Sequence, residues 1–344
     1  MHAAAIRLAA VRPRASLGDW HHSCAAAQGI GPAVQVVTID AQAESARFVP
    51  EAGCQCLGYR VGSMEIIAGA ANTGELAKHP FSTGIPILFP WPGRIARASF
   101  EWKGRRFSVP VGEPARGHAL HGLIYNCAFR VTQRGPYYFR SELDSAEHPE
   151  LAALWPWPFR LELEYEVGNG LRLAATVHNT AKAPMPFGFG AHPYFHAPLS
   201  PRSRRAAMRL TLDSRNRWIL DDSLIPLGRK APVEGKCDFR SGRELGDESY
   251  DDAFQGPEPD ASGTVRARLV DGQAKVAIEV GADLSFTHWV IYAPADRPVV
   301  SIEPYTCAPD AFNLDARGIE AGTRELAPGA SWRGAIEIRV VSAP

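Results

Sequence analysis

From Phe159 to Val167, apolar and charged residues alternate without a break. Phe159, Leu161, Leu163, Tyr165 and Val167 take one side, and Arg160, Glu162, Glu164 and Glu166 take the other. Successive side chains of a strand point to opposite faces, so this period predicts a strand with one buried and one wetted face. Gly168-Asn169-Gly170 turns the chain, and Leu171, Leu173, Ala175 and Val177 carry the apolar face back. Such a hairpin has to cover its apolar face with a second layer. The same pattern recurs in Phe100 and Trp102 against Phe107 and Val109 around Lys103-Gly104, and from Val265 to Val280 around Asp271-Gly272. Shorter runs lie at Val34 to Ile39, Cys54 to Val61 and Met64 to Ile67, and a last strand runs from Ala335 to Val341. Helical spacing is confined to a short turn near Pro149 to Leu154. The prediction is a mostly β chain, a large antiparallel sandwich or barrel. With no repeat or linker after residue 32, residues 33–344 read as one domain.

Residues 1–32 read as a loose tail, rich in Ala, Arg and His and without a steady period. Positive charge follows its apolar start, the reverse of a secretory signal, and the acid-free first 18 residues also fit a weak transit peptide. Lys plus Arg total 37, as do Asp plus Glu, so charge makes no case for a nucleic acid or an anionic membrane partner. No apolar run approaches the ~18 residues of a membrane span. A neutral small molecule is the expected partner, for a monomer or homodimer. The six cysteines lack metal-type spacing, and Cys54 and Cys56, two apart, would share one strand face. Buried free thiols in a reducing cytoplasm are the expectation.

Five islands break the strand pattern. In Ser301-Ile302-Glu303-Pro304, the proline holds Glu303 extended, as the expected last residue of a strand. A carboxylate held there suits proton transfer, and equally suits an edge-strand charge that blocks aggregation. His192 also precedes a proline, within Phe187-Gly188-Phe189-Gly190-Ala191-His192-Pro193-Tyr194-Phe195-His196. It is either a positioned acid or a satisfied core histidine. Arg94 follows Pro92-Gly93, and its planar fork can hold hydroxyls or carboxylates. His118 and His121 stand three apart with no third ligand nearby, which argues against a metal. Asp251 and Asp252 precede Ala253-Phe254, as a hydroxyl site or a solvated turn. Taken together, Arg94, His121, His192, Asp251 and Glu303 could grip a polyol and move two protons.

These islands resemble the aldose 1-epimerases, or galactose mutarotases. The shared pattern is Gly84-Ile85-Pro86, Phe89-Pro90, Arg94-Ile95, His121-Gly122-Leu123, His192-Pro193-Tyr194-Phe195, Asp251 shortly before Phe254, and Glu303-Pro304 followed by Asp310-Ala311-Phe312-Asn313. The resemblance implies a large antiparallel β-supersandwich (galactose mutarotase-like), with a shallow site on one sheet and neither metal nor organic cofactor. It implies Glu303 as catalytic base, His192 as catalytic acid, and Arg94, His121 and Asp251 as substrate-binding groups. The implied activity is an isomerase interconverting α and β anomers of a free aldose. The alternatives are a non-catalytic carbohydrate-binding protein, or an epimerase of hexose 6-phosphates or an unusual sugar, with Arg97 and Arg116 as phosphate candidates. Two departures stand out: Gly93 replaces an asparagine, and Asp252-Ala253 replaces a His-Asn pair. The mechanism expected of this set has Glu303 and His192 meeting across a sugar-sized gap, with a neighbouring acid lifting the His192 pKa.

Overall fold

The computed structural model describes residues 35–343. The tail at 1–32 and Cys24 lie outside the described residues. Two large sheets of antiparallel strand pairs dominate. The nine-stranded sheet runs, in spatial order, Arg130–Arg134, Tyr138–Asp144, Phe159–Glu166, Leu171–Asn179, Ser331–Ser342, Val276–Ala282, Val265–Asp271, Arg209–Leu212 and Arg243–Glu244. The eight-stranded sheet runs Pro226–Pro232, Asn216–Leu220, Tyr250–Gln255, His288–Ala293, Val299–Tyr305, Gly190–Ala191 and Ile87–Leu88, and Tyr194–His196 also pairs with Val299–Tyr305. A smaller four-stranded sheet is formed by Val37–Ala41, Glu44–Val49, Gln55–Val61 and Met64–Glu65.

The hairpin read from the alternating stretch forms, with Leu163 opposite Ala175. Leu161, Leu163, Tyr165, Leu173, Ala175 and Val177 are all buried. On the wetted face, Glu164 meets Arg140, Arg172 and Arg333 from the neighbouring strands. Exposed pairs of this kind add little stability each, but they favour one register. The inner face of the eight-stranded sheet supplies Ile87, Phe195, Phe254, Trp289, Ile291, Val300 and Ile302 to the same core cluster. Residues of both sheets thus share one apolar interior.

Three short α-helices accompany the sheets among the described residues. Pro149–Leu154 is the one the sequence indicates, with proline in its first turn. Thr73–Lys78 and Ala311–Ala316 are not legible, because six residues are too few to establish a helical period. The five described cysteines are free and buried. Cys54 precedes the strand with φ of 50°, so the shared strand face expected for Cys54 and Cys56 does not form.

Trp155 is 1% exposed. Its ring lies 5.0 to 6.0 Å from those of Trp91, Phe100, Trp157 and Phe312. It therefore joins the proline-rich first island, a hairpin and the helix Ala311–Ala316. Truncating a buried tryptophan costs about 3–5 kcal/mol. Trp155→Ala is expected to lower the unfolding free energy read from urea titration by that amount, and a loss below about 1 kcal/mol would show that the site collapses around the cavity.

Candidate active site

The strand Val299–Tyr305 builds the centre of the site. Val300 and Ile302 point into the shared core. The period of two sends Ser301, Glu303 and Tyr305 to the opposite face. The strand does not stop at Glu303: it continues through Pro304, which stands opposite Trp289, to Tyr305. Proline removes one ladder donor, but its φ is compatible with extended backbone, so pairing resumes at Tyr305 opposite His288 and Gly190. Glu303 therefore lies inside a sheet and is 1% exposed, which rules out the edge-strand role.

His192 sits between Gly190–Ala191 and Tyr194–His196, at the break the sequence indicates. Its ring stacks on Tyr194, with centroids 4.4 Å apart. His192 Nδ1 is 2.8 Å from Ser301 Oγ, and Nε2 is 3.2 Å from Glu303 Oε1. The Tyr305 hydroxyl donates a short hydrogen bond to the other oxygen, Oε2. No sugar-sized gap separates acid from base; the two groups touch.

Electrostatics in this corner follow from burial. Burial pushes the Glu303 carboxyl well above the usual carboxylate range, against the Tyr305 hydrogen bond and with help from the Asp251 charge. Burial pushes His192 down to about 3, and the charges of Arg297 and Arg94 act the same way. The expected upward lift of His192 by a neighbouring acid is overturned, because removal from water outweighs it. Both movements favour the uncharged form of each group.

The other predicted residues line the same cleft. Glu113 accepts from Arg94 Nε at 2.8 Å and from Nη2 at 3.2 Å. Asp251 lies 3.7 Å from that same Nη2. The Nη1 group has no protein partner among the described residues and is the arm left for a ligand oxygen. Asp251 is on the strand Tyr250–Gln255, where burial raises its pKa and Arg94 opposes the rise. The Gly93 N–H donates to His121 Nδ1 at 3.2 Å, so the proton of a neutral His121 sits on Nε2. Burial, the nearby His192 and Arg94 keep His121 neutral, which makes it an uncharged donor. Gly122 lets this segment approach closely: at φ of 81°, an added Cβ would fall 2.1 Å from the Phe89 carbonyl oxygen.

His118 does not join the site. Its Nδ1 accepts from the Arg97 N–H at 3.1 Å and its Nε2 lies 3.1 Å from Ser223 Oγ, so both ring nitrogens are engaged. Asp252 faces away, toward Cys237 and Arg217, so of the two departures at 252–253 only Ala253 reaches the cleft. Arg97 and Arg116 do not line it either, and Arg116 instead pairs with Glu113. Sequence reasoning missed Ser301, Tyr305, Glu113 and Arg297. Ser301 and Tyr305 were within reach, since each is two residues from Glu303 along a strand. Arg297 and Glu113 come from loops that carry no periodic signal. Phe81, Leu220, Leu224 and Val290 add an apolar wall.

A family profile described as aldose 1-epimerase matches residues 35–339. YihR of Escherichia coli K12, described as uncharacterized, is 24% identical over 245 residues, covering 69% of this chain and 74% of its own. The structure of a galactose mutarotase-like protein from Clostridium acetobutylicum superposes with a TM-score of 0.82 at 20% identity, covering 89% of this chain and 95% of the other. The GalM/aldose epimerase homologue from C. elegans gives a TM-score of 0.76 at 17% identity, covering 91% and 100%. At these identities the structures establish the fold, a galactose mutarotase-like arrangement of antiparallel sheets. The match that spans the sequence establishes the rest: this chain belongs to the aldose 1-epimerase family.

Proposed function

We propose that this protein is an aldose 1-epimerase that interconverts the α and β anomers of a free aldose by general acid–base catalysis. The observation that carries the reading is the buried Glu303–His192 contact at 3.2 Å on the wall of an open cleft. Buried Oε1 has no hydrogen-bond partner of its own. Family membership supplies the reaction type, and the cleft supplies groups suited to it.

In the proposed cycle, Glu303 as carboxylate takes the O1 proton while His192 Nε2 as imidazolium gives a proton to ring O5. The C1–O5 bond breaks and the C1–O1 bond becomes a carbonyl. Glu303 is now protonated and His192 neutral, the form that burial favours. Rotation about C1–C2 presents the other carbonyl face. Closure reverses both transfers, O5 attacks C1, and the pair returns to its starting form. No covalent enzyme intermediate forms, and the proton count balances. Arg94 Nη1, His121 Nε2–H and Asp251 bind hydroxyls, and His121 also faces charge that develops on the opening ring.

A second reading, an aldose with an anionic substituent, is favoured by Arg297. Its Nη2 donates to the Ser82 carbonyl at 2.7 Å and its guanidinium lies over the Tyr194 ring. No carboxylate within 4.0 Å pairs with it among the described residues. Anomer-resolved NMR on free aldoses, uronates and hexose 6-phosphates separates the two readings: acceleration confined to anionic sugars, and lost in Arg297→Leu, favours the second.

Glu303→Gln and His192→Asn are each expected to lower mutarotation about 10²–10⁴-fold with the melting curve retained. Polarimetry on fresh α-anomers reads the loss, and near-wild-type rates in either variant reject the assignment. The pH profile gives a separate check. Below the His192 value of about 3 the pair holds two protons and has no base. Above the raised Glu303 value it holds none and has no acid. We expect kcat/KM to be flat through the ~6.5 at which an ordinary histidine titrates. An inflection there matched by titration of His192 in ¹⁵N NMR would mean that His192 works as an independent imidazolium.

A further inference from the structure

Ser301 has no part in the chemistry above, yet it is fully buried and touches the acid–base pair. Its hydroxyl has one proton. It donates that proton to the Pro193 carbonyl at 2.8 Å. It must then act as acceptor toward His192 Nδ1, also at 2.8 Å. Only a protonated Nδ1 satisfies that contact. At Nε2 the Tyr194 hydroxyl lies 3.4 Å away, a much longer contact than the 2.8 Å at Nδ1, so neutral His192 keeps its proton on Nδ1 and its lone pair on Nε2, which faces Glu303 Oε1 at 3.2 Å.

We propose that Ser301 is a positioning residue that fixes the tautomer of His192, so that Nε2 alone exchanges the catalytic proton. The proposal rests on the acid–base assignment of His192 and Glu303. The contacts run in one direction: Tyr305 O–H to Glu303 Oε2, Oε1 facing Nε2 at 3.2 Å, Nδ1–H to Ser301 Oγ, and Ser301 O–H to the Pro193 carbonyl. If Ser301 turned its proton toward Nδ1, Nε2 would carry the fixed proton and could not take one from the O5 hydroxyl. The closing half of the cycle would then begin in the wrong form. The fold gives the arrangement rigidity. Ser301 stands opposite Tyr194 in the strand pairing, and Pro193 links that residue to His192. A shift of the histidine backbone therefore carries the serine's acceptor carbonyl with it.

The first test needs no substitution. ¹⁵N NMR of the wild-type protein at neutral pH, with His192 assigned by its loss in His192→Asn, is expected to show Nδ1 protonated and Nε2 bare or sharing a proton. A resonance pattern with Nε2 protonated and Nδ1 bare overturns the proposal, whatever the activity. The second test is kinetic. Ser301→Ala is expected to lower kcat by about 10- to 10³-fold, less than the ~10⁴ seen when an orienting partner is replaced by one that imposes the wrong tautomer. KM should change little, because Ser301 does not line the cleft. Ser301→Thr, which keeps the hydroxyl, should recover much of the rate. Wild-type kcat in Ser301→Ala, or equal losses in the alanine and threonine variants, would show a packing role only. Should Ser301→Ala fail to fold, the wild-type tautomer still decides. Failure of the parent reading looks different: Glu303→Gln would then retain mutarotation while the tautomer measurement stood unchanged.

Discussion

A carboxyl group and an imidazole in direct contact, both almost out of water, set the terms for the rest of this molecule. Burying a single ion costs several kcal/mol unless a partner compensates. Sharing one proton removes most of that cost, since the uncharged form needs no counter-ion. The same burial makes the proton's position responsive to what lies in the cleft, because either placement differs only by transfer across 3.2 Å. A contact that must be dry and also open to a ligand cannot sit on an edge or a loop. It sits on a strand inside a sheet, with Ile302 packed in the core directly behind.

Holding the remaining groups around that contact falls to the irregular islands. The His121 N–H donates to the Gly93 carbonyl at 2.8 Å while the Gly93 N–H donates to His121 Nδ1 at 3.2 Å, so two segments 28 residues apart clasp each other. Asp310 lies outside the cleft but ties down its wall. Its N–H donates to the Arg94 carbonyl at 2.7 Å, and its Oδ1 accepts from the Ala96 N–H at 2.9 Å. Asn313 Nδ2 then donates to that same carboxylate at 2.7 Å and to the Ser99 carbonyl at 3.0 Å. The Asp-Ala-Phe-Asn motif therefore acts as a brace for the arginine segment, and Phe312 anchors it by packing on Phe100 and Trp155.

What could be read in advance follows the same division. Strands such as Phe159–Glu166 announce themselves, because burial on one face forces a period of two. Glu303 and His192 are marked by the prolines after them, and their meeting in one cleft is carried by the family's ordered motifs. Their mutual distance is not legible, since nothing in sequence spacing fixes the approach of residues 111 positions apart. The protonation state is not legible for a related reason: a histidine's removal from water is a property of the packed sheet. Glu113 and Arg297 carried no signal, being single charged residues in turns. Ser301 did, two residues before a marked carboxylate, where strand alternation already places it on the same face.

The departures from the family pattern can be read the same way, through packing. Gly93 has φ of 67°, and a Cβ there would lie 3.0 Å from Pro309 Cβ. Asparagine also adopts this left-handed backbone, so it is the contact with Pro309 that crowds a side chain here. Ala253 likewise offers a methyl group where the family carries an amide. The two positions line one cleft, and neither presents a side-chain donor. A sugar hydroxyl aimed at this corner and cut off from water would go unpaired, at a cost of about 1–3 kcal/mol. A substituent that needs no donor there would not incur that cost. On the proposed function, selectivity in this cleft depends on the amides it lacks as well as on Arg94, His121 and Asp251.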